Sequence, residues 1–232
     1  MLLDLCPEGF EEVDRADEVE LAAYVDEAGE KRLRFVLGRA ETTNVPPDWE
    51  DAWRSFHRPV RVGPLWVGPP WERPAEDAVA VVIDPGRAFG TGAHPTTRLC
   101  LELLLDEERT GLLDLGCGSG VLAIAGAKLG FAPVVALDRD EAAVDASRRN
   151  ALANGVELEV RLADAFADPL PAVGVVLANV DRNLVARVAE RLPAGRLIAS
   201  GYLAAEAPSP AGWSRLDRRQ TEGWAADLFS RR

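Results

Sequence analysis

The chain has 232 residues, of which 47% are hydrophobic, and its formal net charge at pH 7 is −12. This length suits one large domain, or an ordinary domain with a small appendage, and the acidity argues against general binding to nucleic acid. The acidity fits either a basic protein partner or simply a soluble surface. The cysteines and histidines lack zinc-site spacing, and no stretch reaches the ~20 apolar residues of a membrane span. We therefore expect a cytoplasmic, metal-free protein without a membrane anchor.

Residues 1–45 are rich in acidic side chains and predict a small N-terminal α+β region. Apolar and more polar residues alternate from Val19 to Val25 and again from Leu33 to Leu37, as in strands. The segment between them, residues 27–30, favours a turn. The pattern therefore predicts a β-hairpin that must pack on another element, because an isolated hairpin is marginally stable.

Residues 46–76 combine seven prolines with four tryptophans. Prolines at this density forbid a long helix and favour an extended connector. We interpret the tryptophans as anchors of the connector to its neighbours rather than as a grip on a substrate. Residues 77–232 then form the predicted main domain.

The main domain opens with a short apolar strand, Val79 to Ile83, and the loop Asp84 to Thr97, which reads DPGRAFGTGAHPTT. A helix is predicted from Thr96 to Leu105. A loop of glycines and hydroxyl residues that leads into a helix can offer several backbone N–H groups to an anion. The glycine density favours a ligand loop over an ordinary tight loop.

Strand and helix patterns alternate along the rest of the chain, which predicts an α/β fold with a mostly parallel sheet and helices on both faces. Ligands in such sheets bind outside the carboxyl ends of the strands. The predicted strands are 112–115, 134–137, 158–162, 173–177, 196–200, 213–216 and 224–229, and the predicted helices are 120–129, the segment after Asp140 up to Asn154, and 183–192.

The glycine-rich turn after the first of these strands is the central motif, with Gly116, Gly118 and Gly120 at alternate positions. Glycine lets the backbone turn tightly and lets a ligand approach closely. A nicotinamide dinucleotide site needs G-x-G-x-x-G, whereas this spacing is G-x-G-x-G with Asp114 just before it. A carboxylate there would repel a pyrophosphate but would suit the amino group of S-adenosyl-L-methionine.

Two further acids support that cofactor. Asp138, 22 residues after Gly116, ends the next predicted strand, where it can accept hydrogen bonds from both ribose hydroxyls. Asp164, at the end of the third strand, can accept one from an adenine amino group. Together with Asp114 and the glycine turn, including Gly118, these acids predict an S-adenosyl-L-methionine site rather than a set of caps and turns.

Two segments now carry a family resemblance. LLDLGCGSGVLAIAGAKLG, with Asp138 and Asp140 downstream, resembles the class I methyltransferases. DPGRAFGTGAHPTTRLCLELL, together with the tryptophan-rich connector, resembles the ribosomal protein L-11 methyltransferases. The resemblance covers roughly Trp49 to Gly201. It implies a Rossmann-like domain with a seven-stranded sheet and a small N-terminal α+β recognition domain, for which residues 1–45 are short.

The resemblance also implies the site residues and the reaction. It assigns cofactor contacts to Thr97, Gly116, Asp138 and Asn179, and it puts Phe89 and Thr91 beside the methionyl end of the cofactor. The implied reaction is transfer of a methyl group to amino groups, of lysine or the α-amine, in ribosomal protein L-11. The alternatives are a methyltransferase for another protein or a small amine, and a cofactor-binding module without catalysis.

For the chemistry we predict that Asn179 orients the acceptor amine. Asp181 could attract a protonated amine, but we interpret it as a helix cap. His94 lies in the ligand loop, and we interpret it as a bracing residue rather than a general base. No apolar face or heptad is left over, so we expect a monomer.

Overall fold

The computed structural model describes residues 11–15, 18–22, 27–37, 58–84, 92–192 and 195–231. Contacts divide the chain into two compact units, Met1–Asp51 and Ala52–Arg232. Within the described part, no helix is both long enough and apolar enough to cross a membrane.

The first unit contains a two-stranded antiparallel sheet and one described helix. The strands and the helix are β1 (Glu11–Arg15), β2 (Glu18–Ala22) and α1 (Glu27–Leu37). The sequence prediction of a turn at 27–30 and a second strand at 33–37 is wrong, because both segments lie in α1. The alternation there is not a buried strand face, since the side chain of Phe35 is 91% exposed. Arg34 pairs with Glu30 at 2.9 Å, the i,i+4 spacing of a helix surface.

The second unit begins its described part with a three-stranded sheet in the order β3-β4-β5. These strands are β3 (Val60–Val62), β4 (Leu65–Gly68) and β5 (Val79–Val82). The predicted connector therefore holds two strands, so its backbone there is extended as predicted, but it is paired in a sheet, which the sequence analysis did not predict. Pro59, Pro64 and Pro69 flank β3 and β4 rather than interrupt them, so the ladder hydrogen bonds survive. Leu65 and Val67 of β4 are buried in the core.

The main sheet has seven strands in the order β11-β12-β10-β9-β6-β7-β8. β12 runs antiparallel to both of its neighbours, and the other neighbouring strands are parallel. The strands are β6 (Leu112–Leu115), β7 (Val134–Asp138), β8 (Glu159–Leu162), β9 (Val175–Asn179), β10 (Arg196–Leu203), β11 (Trp213–Thr221) and β12 (Trp224–Arg231).

Helices cover both faces of this sheet, so the predicted α/β class is confirmed. They are α2 (Pro95–Leu105), α3 (Val121–Lys128), α4 (Glu141–Asn154) and α5 (Arg182–Arg191). Side chains alternate along each strand, so Leu112 enters the core under α2 and α3 while Leu113 enters the core under α5. Each face of the central strands therefore has its own apolar core.

The chain order creates a switch point between β6 and β9. From β6 the chain adds β7 and β8 on one side, and it then crosses back to place β9 on the other side of β6. In open α/β sheets the crevice beyond the carboxyl ends of the strands at such a point is the ligand site.

Candidate cofactor and active site

The glycine turn lies directly beyond the carboxyl end of β6. Gly116, Gly118 and Gly120 all have positive φ, at 69°, 53° and 82°. The N–H groups of Gly116 and Cys117 donate to the carbonyl of Leu137 at 2.8 and 3.1 Å, which ties the turn to the end of β7. Glycine adopts this left-handed backbone conformation at little energetic cost, which explains why the sequence has glycine at all three positions.

Asp114 lies inside β6 and is 1% exposed. Its Oδ2 accepts a hydrogen bond at 3.2 Å from the backbone N–H of Ala123, in the first turn of α3. Burial raises the pKa of Asp114 to about 7; the Ala123 hydrogen bond opposes the shift and the Asp138 charge adds to it. The Asp114 carboxyl therefore both caps α3 and is poised to change charge when a cation approaches.

Asp138, the last residue of β7, holds the same turn from the neighbouring strand. Its Oδ2 accepts from the backbone N–H of Gly118, and its Oδ1 accepts from the backbone N–H of Asp140, both at 3.0 Å. Asp140 in turn caps α4 by accepting from the N–H of Ala142 at 2.9 Å, as predicted. The Asp138 carboxylate thus lies against the glycine turn at the carboxyl ends of β6 and β7.

Asn179 ends β9, on the other side of β6, and pairs in register with Ser200 of β10. The next residue, Val180, closes onto the glycine turn, because a Cβ at Gly116 would lie 2.9 Å from its Cγ1. A Cβ at Gly201 would lie 2.3 Å from the carbonyl oxygen of Val180. Asn179 is therefore held beside the turn by two positions where only glycine fits.

Three predicted residues flank this centre. Thr97 lies in the first turn of α2 and is 2% exposed. Asp164 follows β8 and is exposed; its Oδ1 accepts from the N–H of Phe166 at 2.8 Å, so in the free protein it shapes a turn. Asp181 caps α5 by accepting from the N–H of Asn183 at 2.8 Å, which confirms the capping interpretation. Phe89 and Thr91 lie outside the described residues.

His94 is the N-cap of α2, and its Nδ1 accepts from the N–H of Thr96 at 3.3 Å. Its ring stands edge-on to Trp224 with centroids 4.9 Å apart. Burial, assisted by the Arg98 charge and opposed by Glu222, lowers the pKa of His94. These contacts agree with a bracing role.

The sequence interpretation assigned no role to three polar residues on the inner face of α4, two of them buried and one partly buried. Ser147, Asn150 and Asn154 contact backbone groups of the glycine turn and of the segment at the end of β5. Their spacing of i, i+3 and i+7 marks one helix face. Polar residues at these positions, where an apolar stripe is expected, were the available signal.

The residues at this site fit S-adenosyl-L-methionine. At Gly116 there is no room for a side chain, the buried carboxyl of Asp114 can balance a cation, and Asp138 keeps lone pairs for hydroxyl donors. Among the described residues, no group of three or more His, Cys, Asp or Glu could hold a metal ion. In the described chain Cys100 and Cys117 are both buried free thiols.

Known proteins are similar to this chain over most of its length. The family model described as ribosomal protein L11 methyltransferase (PrmA) matches residues 11–228. The ribosomal protein L11 methyltransferase of Symbiobacterium thermophilum is 40% identical over an alignment of 245 positions, which covers 90% of this chain and 80% of that protein. The namesake from Neisseria gonorrhoeae is 40% identical over 220 residues, covering 89% and 74%.

A solved structure gives the same result. The crystal structure of ribosomal protein L11 methylase from Lactobacillus delbrueckii subsp. bulgaricus superposes with a TM-score of 0.67 at 26% identity, and the match covers 75% of this chain and 99% of that one. The predicted enzyme class and methyl donor, S-adenosyl-L-methionine, are confirmed. On the extent of the model match and the 40% identity, the chain belongs to the ribosomal protein L11 methyltransferase family.

Proposed function

We propose that this protein methylates amino groups, of lysine or the α-amine, in ribosomal protein L11, and that it does so as a cytoplasmic monomer without nucleic acid or membrane. The names of its relatives support this substrate. Its net charge of −12 suits a basic protein partner and disfavours direct contact with nucleic-acid phosphates.

One observation carries the proposal. Asp114, Gly116, Asp138 and Asn179 converge at the carboxyl ends of three neighbouring parallel strands, β7, β6 and β9. We assign Asp114 to the amino group of the methyl donor, Gly116 and Gly118 to close backbone approach, and Asp138 to the ribose hydroxyls. Asp164 would accept from the adenine amino group. Thr97, Phe89 and Thr91 complete the proposed donor-binding set.

When bound, S-adenosyl-L-methionine supplies an electrophilic methyl group on a sulfonium. The acceptor amine must be neutral to attack, since a protonated amine has no lone pair. Asn179 would accept a hydrogen bond from the amine through its side-chain or backbone carbonyl and direct the lone pair at the methyl carbon. Alignment of this kind is worth several kcal/mol, about 7–11 in the best-oriented cases.

Asn179→Ala tests the proposed catalytic role. We expect kcat for methyl transfer to fall at least about tenfold, the equivalent of one lost hydrogen bond of about 1.4 kcal/mol. Donor affinity is measured separately by calorimetry, because the family resemblance also assigns Asn179 a cofactor contact. Asn183→Ala is the matched control, because Asn183 is an exposed asparagine on the following helix. An unaltered kcat at saturating donor for Asn179→Ala would remove the Asn179 side chain from the mechanism.

The proposed substrate is tested by incubating the protein with methyl-labelled donor and purified ribosomal protein L11. We expect label in L11, stable to acid hydrolysis as methylated lysine or α-amine, and insensitive to ribonuclease. Label only in other proteins or in a small amine would replace the substrate. Donor binding without any transfer would favour a non-catalytic module.

A further inference from the structure

Helix α4 presents a polar face to the protein interior. Ser147 is 0% exposed, Asn150 is 3% exposed, and Asn154 on the same face is partly buried. Buried amides and hydroxyls are costly unless they are hydrogen-bonded, so an apolar stripe would be the cheaper way to pack a helix. Each of the three side chains is hydrogen-bonded to backbone groups. The partners lie in two other segments, the end of β5 and the glycine turn.

On one side, the two asparagines pair with the backbone at the end of β5. Asn154 accepts from the N–H of Val82 at 2.9 Å and donates to its carbonyl at 2.6 Å. Asn150 accepts from the N–H of Asp84 at 3.1 Å and donates to its carbonyl at 3.5 Å. Residues four apart on a helix rise about 6 Å, which matches the ~6.6 Å between alternate strand residues. The amides thus replace a missing neighbouring strand.

On the other side, the same helix face contacts the glycine turn. Ser147 Oγ donates to the carbonyl of Gly118, and Asn150 Nδ2 donates to the carbonyl of Ser119, both at 2.9 Å. A Cβ at Gly120 would lie 2.8 Å from Ser147 Oγ, so the turn is seated directly on the helix. The C=O and N–H of a trans peptide point in opposite directions, so the N–H of Ser119 is directed away from α4. The N–H of Gly120 donates to the carbonyl of Cys117 at 2.8 Å within the turn.

Asn150 is the residue that joins the two contacts. Its amide bonds to the glycine turn at Ser119 and to Asp84 at the end of β5, whereas Asn154 bonds to Val82 and to the carbonyl of Asn150 but not to the turn. We propose that Asn150 is a positioning residue for the methyl donor: it fixes the peptide planes of the glycine turn and locks them to the exit of β5. This inference rests on the proposed role of that turn in binding the donor.

Paired variants test the proposal. Asn150→Ala and Asn150→Asp both remove the N–H group that hydrogen-bonds to the carbonyl of Ser119. The Asp variant keeps a hydrogen-bond acceptor for the N–H of Asp84. Asn154→Ala removes the neighbouring amide without touching the turn. We expect the two Asn150 variants to weaken S-adenosyl-L-methionine binding at least about tenfold by calorimetry, since one buried hydrogen bond is worth about a factor of ten. Asn154→Ala should lower the melting temperature. It should change the Kd for the methyl donor less than threefold, which is roughly half the free energy of one hydrogen bond.

A kinetic measurement separates positioning from chemistry. We expect Asn150→Asp to raise the KM for the methyl donor and to leave kcat at saturating donor within about threefold of wild type. Equal losses of donor affinity in the Asn150 and Asn154 variants, or an unchanged Kd in Asn150→Asp, would overturn the proposal and leave a purely structural face. Failure of the wild-type protein itself to bind the donor would instead refute the proposed cofactor site.

Discussion

Two buried aspartates mark two differently built regions of the main sheet. Asp114 in β6 is 1% exposed and accepts from the backbone N–H of Ala123. Asp227 in β12 is 0% exposed and accepts from the hydroxyl of Tyr202 at 2.8 Å, with Arg218 and Arg215 at 3.2 and 3.5 Å. Within the described part of the chain, Asp114 has no such ion pair.

The difference separates the proposed ligand site from a structural one. Burial raises the pKa of both carboxyls, but at Asp227 the Tyr202 hydroxyl and both arginines oppose the shift, whereas at Asp114 the Asp138 charge adds to it. The hairpin of β11 and β12 has its buried charge neutralised by the protein. At the proposed donor-binding end the charge of Asp114 would be balanced by a cation from outside, at a cost in stability to the free protein.

The largest expected effect is at the structural end. Asp227→Ala leaves the Tyr202 hydroxyl and Arg218, whose side chain is 16% exposed, without their carboxylate. We expect the free energy of unfolding in urea to fall by about 3–5 kcal/mol, as for other broken buried pairs. Arg215→Ala is the control: that side chain is 43% exposed and should cost less than about 1 kcal/mol. Equal losses would mean that Asp227 is not the centre of the cluster.

A pair of glycine variants separates backbone strain from ligand binding at the proposed donor-binding end. Gly116→Ala and Gly155→Ala both put a side chain at positive φ, 69° and 63°, and each should cost about 1–2 kcal/mol of stability. The added Cβ meets Val180 at Gly116 but nothing within 4 Å at Gly155. We expect the donor Kd, measured by calorimetry, to rise at least about tenfold in Gly116→Ala alone. An unchanged donor Kd in Gly116→Ala would contradict binding of the methyl donor at the glycine turn.

Asp114→Asn tests whether the unpaired carboxyl weakens the fold. The pKa of Asp114 is about 7 in the folded protein against an ordinary 3.8, so the folded state holds its proton more tightly. Wild-type stability should therefore fall as the pH rises from about 4 to about 7. We expect the variant to be more stable than wild type at pH 8 by at least about 1.4 kcal/mol, the equivalent of one pKa unit, and to match it near pH 4.

The same variant should bind the donor less well at pH 8, because it lacks the charge that would meet the amino group. In the wild-type protein, donor affinity should drop as the pH falls below about 7, where Asp114 takes up its proton. A variant that binds normally, with the same pH dependence as wild type, would show that Asp114 only caps α3.

The main sheet was predictable from sequence, but the polar contacts inside it were not. Apolar runs ending in Asp138 and Asn179 mark strand ends, and the glycines mark the turn, because these features are local. The sequence predicts Asn154 only as a helix end, which is confirmed. Its hydrogen bond to Val82 leaves no local signal, because the two residues lie 72 positions apart. The strand predicted at 33–37 failed because alternation of three apolar residues also fits a helix, and Glu30 with Arg34 supplied the helical spacing.

The smallest expected effect on stability is at His94, which caps α2 and contacts Trp224 of β12. His94 is the N-cap of α2 and its ring packs on Trp224, so His94→Ala should lower the free energy of unfolding by about 1 kcal/mol. His94→Asn should keep most of that stability, because asparagine is also a good N-cap. The folded pKa of His94 lies below its ordinary 6.5, so its capping contribution is present above that pH and is lost as the pH falls. Thermal melts of the Ala variant should thus converge with wild type in acid. If His94→Asn folds normally but loses methyl transfer, His94 acts on the substrate and the bracing role is wrong.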